Sequence, residues 1–169
     1  MECKILGVDL GKKWGWAVIE QDADRRPLVR FGEETLTNDA LLNASAGMVY
    51  HGFQTWLKLI LLQEMPSLVV YESVRFTRGM SYIEGQKGIL LAELEGLGVE
   101  FYGLPIGTLK KWAAGTGKAT KTQVMQAVVD RWMEPDGFNQ DAPWDGRRKL
   151  TDNIADALWC AQHGWWRWQ

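Results

Sequence analysis

The chain has 169 residues, 46% of them hydrophobic, with 19 basic against 21 acidic side chains and a formal charge of −2. That length suits one domain, residues 1–169, built on a single core. The longest apolar stretches are broken by Lys58, Glu64 or Pro66 before they reach the roughly 20 residues of a membrane span. A pI near 5.7 excludes a surface coated in basic residues, so any hold on nucleic acid must rest on local charge.

In chain order, residues 3–9 and 14–20 read as two strands around the turn Gly11-Lys12-Lys13, the second alternating Trp14, Trp16 and Val18 with smaller or polar neighbours. A third strand is expected over 28–36, after the polar turn 22–27. Helical spacing of Leu41, Leu42, Met48, Val49, Phe53, Trp56, Leu57 and Ile60 predicts a helix over 39–63, capped by Asn38 or Asp39 and stopped before Pro66. The continuous apolar run 67–72 predicts a central parallel strand buried on both faces. A helix over 81–96, a short strand over 99–103 and helices over 106–114 and 120–133 follow. The Pro, Gly and Asp material of 134–149 reads as a mobile loop, and a last helix starts near Thr151. Three strands followed by alternating helices and strands make an α/β sandwich on a mixed sheet.

Asp9 ends the first strand, Glu72 ends the buried central strand, and Asp152 and Asp156 stand four apart, on one face of the last helix. If the first and central strands are parallel neighbours, Asp9 and Glu72 meet, and the helix completes the group. Clustered, dehydrated carboxylates repel one another, so they either take up protons or hold a hard cation. Magnesium suits such a set, because it prefers oxygen ligands and keeps waters.

Other residues carry weaker signals. Cys3 and Cys160 lack metal or redox spacing and read as reduced. His51 and His163 read as ordinary surface or helix residues. From 104 to 131 the chain carries Lys110, Lys111, Lys118, Lys121 and Arg131 against Asp130 alone, a basic edge on an acidic chain. Ten tryptophans are present, three of them in Gly164-Trp165-Trp166-Arg167-Trp168. Such indoles serve base stacking, a partner surface or an interfacial anchor, and the favoured expectation is that they pack back onto the sheet. The N-terminal Met-Glu-Cys-Lys leads straight into a strand without a signal-peptide pattern, so a cytoplasmic location is expected.

The set Gly7-Val8-Asp9-Leu10-Gly11, Val70-Tyr71-Glu72 and Asp156-Ala157-Leu158 resembles the RuvC-like Holliday junction resolvases of the ribonuclease H-like superfamily. The segment from Gly115 to Val124 is similar to that family's Gly-x-Gly-x-Ala-x-Lys-x-Gln-Val stretch, and Gly85-Gln86-Lys87-Gly88 resembles its Gly-Gln helix start. The first motif is weak, since actin-like ATPases and sugar kinases share it; an actin-like ATPase, however, needs two such domains and a far longer chain. The lysine-bearing segment is much more specific. The resemblance implies a ribonuclease H-like fold, a mixed five-stranded sheet flanked by helices.

It further implies that Asp9, Glu72 and Asp156 are metal-binding catalytic acids, that Lys121 lies near the scissile phosphate and that Lys110 contacts DNA. The family's other C-terminal acid or histidine falls at Asn153 here, whereas Asp152 lies one residue earlier, so either position is left open for the fourth ligand. Arg75, Phe76, Arg78, Lys87, Lys111 and Lys118 complete the expected DNA-binding set, Arg75 and Phe76 for prying bases apart at a branch point. The activity implied is paired symmetric nicking of four-way junctions, leaving 5′-phosphates, with two Mg2+ ions per site that Mn2+ can replace. Opposed cuts imply a homodimer, and Ile83, Ile89, Leu90, Leu91 and Leu94 of the 81–96 helix are its expected interface. Alternatives are a relaxed branched-DNA nuclease acting on forks and flaps, and a non-catalytic junction-binding module on the same fold. Small size, acidic pI and the tryptophan-rich end suggest a phage or prophage version working in the cytoplasm of a bacterial host.

Overall fold

Alternation along two strands determines the architecture. In β1 (Lys4–Asp9), Ile5 faces one side of the sheet and Leu6 and Val8 the other; in β4 (Leu68–Ser73), Leu68 and Val70 oppose Val69 and Tyr71. Both strands are buried on both faces, and they pair in parallel from Ile5↔Leu68 to Val8↔Tyr71. The structure is a computed structural model that describes residues 3–21, 27–35, 45–73, 81–132 and 150–169.

β2 (Lys13–Gln21) and β3 (Pro27–Thr35) add antiparallel to one edge of β1, and β5 (Glu100–Pro105) adds parallel to β4. The result is a mixed five-stranded sheet of order β3-β2-β1-β4-β5. Helices α1 (Ala46–Glu64) and α2 (Ser81–Leu97) cover one face, where Phe53, Leu57, Ile60, Leu90 and Leu94 pack on Leu6, Val8, Val18 and Val69. Helices α3 (Ile106–Ala114), α4 (Lys121–Trp132) and α5 (Asp152–Trp168) cover the other. The α/β class and the mixed sheet follow the sequence expectation.

α5 lies between the sheet and α3 with α4, so most of its residues are buried. It sits close because small residues meet small residues. A Cβ on Gly7 would strike the backbone of Ala157 and Ala161, and one on Gly164 would strike Ile5 and Val70. Trp159 and Trp165 are buried in this layer while Trp166 and Trp168 are exposed, so the expected packing of the terminal tryptophans holds for part of the run.

Three expectations are corrected or limited. Ser45 caps α1, its hydroxyl accepting from the Met48 amide at 3.3 Å, and residues 36–44 lie outside the described residues. The expected mobile loop 134–149 and the sites Arg75, Phe76 and Arg78 also lie outside them. Of the apolar residues expected to form a dimer face on α2, Ile83, Leu90 and Leu94 are buried in the chain's own core, leaving only Ile89 and Leu91 partly exposed.

Candidate metal centre

The alternation that buries Ile5 and Leu68 also places Asp9 and Glu72 on the α5 face, one step beyond the Val8↔Tyr71 pair. Asp156 comes down onto them from α5. One carboxylate oxygen from each of Asp9, Glu72 and Asp156 lies within 4.8 Å of the others, the one such group among the described residues. Asp9 and Glu72 are only 5% and 8% exposed, which is rare for carboxylates unless they are paired or ligating.

The electrostatics follow. Burial raises Asp9 well above the usual carboxylate range, and the charges of Glu72, Asp156 and Asp152 raise it further. Burial also raises Glu72, against the pull of Lys110 and Lys121, and lifts Asp156 to about 7 with help from the charges of Glu72 and Asp152. Glu72 Oε1 is buried without a hydrogen-bond partner. An orphaned carboxylate oxygen among other hard oxygen donors is what a divalent cation satisfies, so the residues present fit such an ion.

Asp152 stands apart from this triad. It pairs with Lys121 Nζ, and that contact holds Asp152 below its ordinary range and Lys121 above its own. Lys121 is the first residue of α4 because Thr120 and Gln123 form a capping box: the Thr120 amide donates to Gln123 Oε1 at 2.9 Å, and the Gln123 amide donates to Thr120 Oγ1 at 3.3 Å. The Lys-x-Gln spacing thus has a mechanical meaning, a helix start that holds the lysine over the acids. Lys110, one turn into α3, sends its positive field onto Glu72 and Asp156.

Asn153 points elsewhere. Its Nδ2 donates to Glu33 Oε2 at 2.7 Å. The acids open onto a cleft of about 420 Å³ whose rim includes Lys12, Lys13, Tyr82, Ile83, Ile106 and Lys121. The turn Gly11-Lys12-Lys13 thus places Lys12 and Lys13 on this rim, and the sequence signal for it is their position directly after Asp9-Leu10-Gly11. Of the other expected DNA contacts, Lys111 and Lys118 are exposed, whereas Lys87 pairs with Glu84 at 3.9 Å. His163 accepts from or donates to Tyr102 Oη at 2.8 Å and packs against Trp112 and Trp166. No helix among the described residues is long and apolar enough to cross a membrane.

The sheet order and the five helices among the described residues define a ribonuclease H-like fold of the RuvC type. The chain is similar to Thermus thermophilus RuvC over 97% of its length and 95% of that chain, with 20% identity and a TM-score of 0.69. It is similar to T. thermophilus RuvC in complex with a Holliday junction substrate over 98% and 94%, with 20% identity and a TM-score of 0.72. A third likeness is to the yeast mitochondrial Holliday junction resolvase, over 98% of this chain and 78% of that one, with 19% identity and a TM-score of 0.67. No protein-family model matches the sequence, and no curated protein matches it by sequence. These likenesses establish the RuvC-like fold.

Proposed function

We propose that the protein is a metal-dependent endonuclease that resolves four-way DNA junctions by paired nicks. The observation that carries this reading is the buried Asp9, Glu72 and Asp156 triad, open to a cleft rimmed by lysines, on a fold shared with a protein described in complex with a Holliday junction. Asp9, Glu72 and Asp156 would hold Mg2+, two ions per site, with Mn2+ as a substitute and Asp152 as the nearest further carboxylate. Bound there, the metal supplies an activated water and a Lewis acid for in-line hydrolysis of a phosphodiester, leaving a 3′-hydroxyl and a 5′-phosphate.

The chain's own residues do the rest. Burial of Asp9 and Glu72 keeps bulk water from competing for their oxygens. Lys121, steadied by Asp152, and Lys110 face the acids from the α3 and α4 side, where they offset charge gathering on a phosphate. Lys12 and Lys13 extend the positive rim along which a DNA backbone lies, and the exposed Lys111 and Lys118 offer further contacts to it. Cutting two opposed strands of a two-fold junction calls for a homodimer.

The test uses a synthetic four-way junction, labelled on each strand in turn, with the purified protein and Mg2+. The account predicts symmetric nicks with 5′-phosphates, slower cutting of forks and flaps, and none of plain duplex. Asp9→Asn, Glu72→Gln and Asp156→Asn should each lower the rate by at least about 100-fold while junction binding persists. Equal cutting of forks, flaps and junctions would select the relaxed branched-DNA nuclease. Binding without any nicking would select the non-catalytic module.

A further inference from the structure

The triad is assembled from the sheet and α5. Asp9 of β1 pairs with Gly15 of β2, and Gly15 pairs with Glu33 of β3. Residues directly opposite in a ladder share a face, so Asp9, Gly15 and Glu33 form one row across the sheet beneath the first turn of α5. Gly15, at its centre, has no side chain, and any Cβ there would collide with the carbonyl of Asn153. The start of α5 therefore rests on the sheet backbone itself.

Glu33 closes the row. Its Oε2 accepts from Thr151 Oγ1 at 2.8 Å and from Asn153 Nδ2 at 2.7 Å, and its Oε1 pairs with Lys13 Nζ at 3.1 Å. Thr151 is the N-cap of α5, its hydroxyl oxygen also accepting from the Ile154 amide at 3.2 Å. These hydrogen bonds and the Lys13 contact hold the Glu33 carboxyl below its ordinary range despite burial. One carboxylate thus fastens the cap of the helix bearing Asp156, the side chain of Asn153 and a lysine of the cleft rim. A carboxylate beside a helix start also suits the helix dipole.

We infer that Glu33 is a positioning residue for the metal centre: it sets the height and rotation of α5 over Asp9, and it commits the Asn153 amide to this clamp instead of to the ion. The inference rests on the metal-nuclease reading for its consequence, and on geometry alone for the clamp. Residues that orient ligands from outside the coordination shell alter metal affinity by about 10–100-fold when removed.

The experiment compares wild type, Glu33→Ala, Glu33→Gln and Asn153→Ala, none of which alters a carboxylate of the Asp9, Glu72 and Asp156 triad. Mn2+ binding to the protein without DNA is followed by electron paramagnetic resonance, well below each variant's melting temperature, and hydrogen exchange is read at the amides of residues 152–156. Glu33→Ala should weaken Mn2+ binding by about 10-fold or more and speed exchange at the start of α5. Glu33→Gln, which keeps an acceptor for Thr151 and Asn153, should recover most of the affinity. Asn153→Ala, which removes one bond and folds even if Glu33→Ala does not, should show a smaller loss of the same kind. Unchanged affinity and exchange in Glu33→Ala or Asn153→Ala would overturn the inference, as would a Glu33→Gln defect equal to that of Glu33→Ala. If wild type itself binds no Mn2+, the metal-nuclease reading falls, and the exchange data alone decide whether the clamp exists.

Discussion

Glu72 and Asp9 are costly residues to bury, and the direction of their shifts shows how the cost is met without metal: the acids tend to hold protons. A group whose folded-state pKa is raised contributes stability that is complete below its unfolded value and is lost as pH rises through the folded value. For Asp156 the window runs from the ordinary aspartate range up to about 7, with Asp9 and Glu72 shifted in the same direction. Metal-free protein should therefore lose thermal stability as pH rises from about 4 to about 7. His163 has the opposite sign, since burial lowers its pKa and its contribution grows with rising pH, so Asp156→Asn is the proper reference. In chelator the fall in melting temperature should be larger in wild type than in that variant, and Mn2+ should reverse it in wild type alone. Equal slopes in the two proteins would contradict this.

The carboxylates were legible in the sequence because two of them close apolar runs and two stand at a helical interval. What could not be read was which C-terminal residue serves. Asp152 and Asn153 differ by one step on a helix, and only the three-dimensional partners, Lys121 for one and Glu33 for the other, separate them. Glu33 itself gave no signal: it lies in a polar stretch at the end of an edge strand, and its partners at the start of α5 are 118 and 120 residues away.

Among elements, α5 decides the site. Alternation in β1 and β4, the hairpin and the order of helices were readable from periodicity, and the described strands lie within two residues of the expected ones. The start of the described α1 was not, because apolar spacing alone does not single out Ser45, the residue whose hydroxyl caps it, and the expected caps Asn38 and Asp39 lie outside the described residues. The close approach of α5 was equally hidden. Gly7 and Gly15 look like ordinary strand glycines until the backbone of α5 is found against them. Gly15→Ala should destabilise the fold by about 1–3 kcal/mol in denaturant titration. It should also reduce Mn2+ affinity at a temperature where the variant remains folded, because α5 must rise off the row that carries Asp9. A variant that loses stability yet keeps full affinity would show that the helix height does not matter to the site.

At the scale of the molecule, an acidic chain presents its positive charge locally. Lys12, Lys13, Lys110 and Lys121 stand around acids whose remaining negative charge a bound cation would neutralise, so the cleft becomes more attractive to phosphate when metal is present. Junction affinity should accordingly fall with rising salt and rise on adding Ca2+, a cation suited to oxygen ligands. Fluorescence anisotropy of a labelled junction, with Ca2+ or with chelator, would reveal whether the cation has this effect. Apolar and aromatic patterning made the sheet and its covering helices visible from the sequence. A surface for the proposed homodimer was not visible in the same way, since much of the apolar face expected for it on α2 is used within the chain. The most direct test of the whole account is an anomalous difference map from crystals soaked in Mn2+. It should show density bounded by the carboxylates of Asp9, Glu72 and Asp156; a map with manganese elsewhere and none at this triad would contradict the central claim.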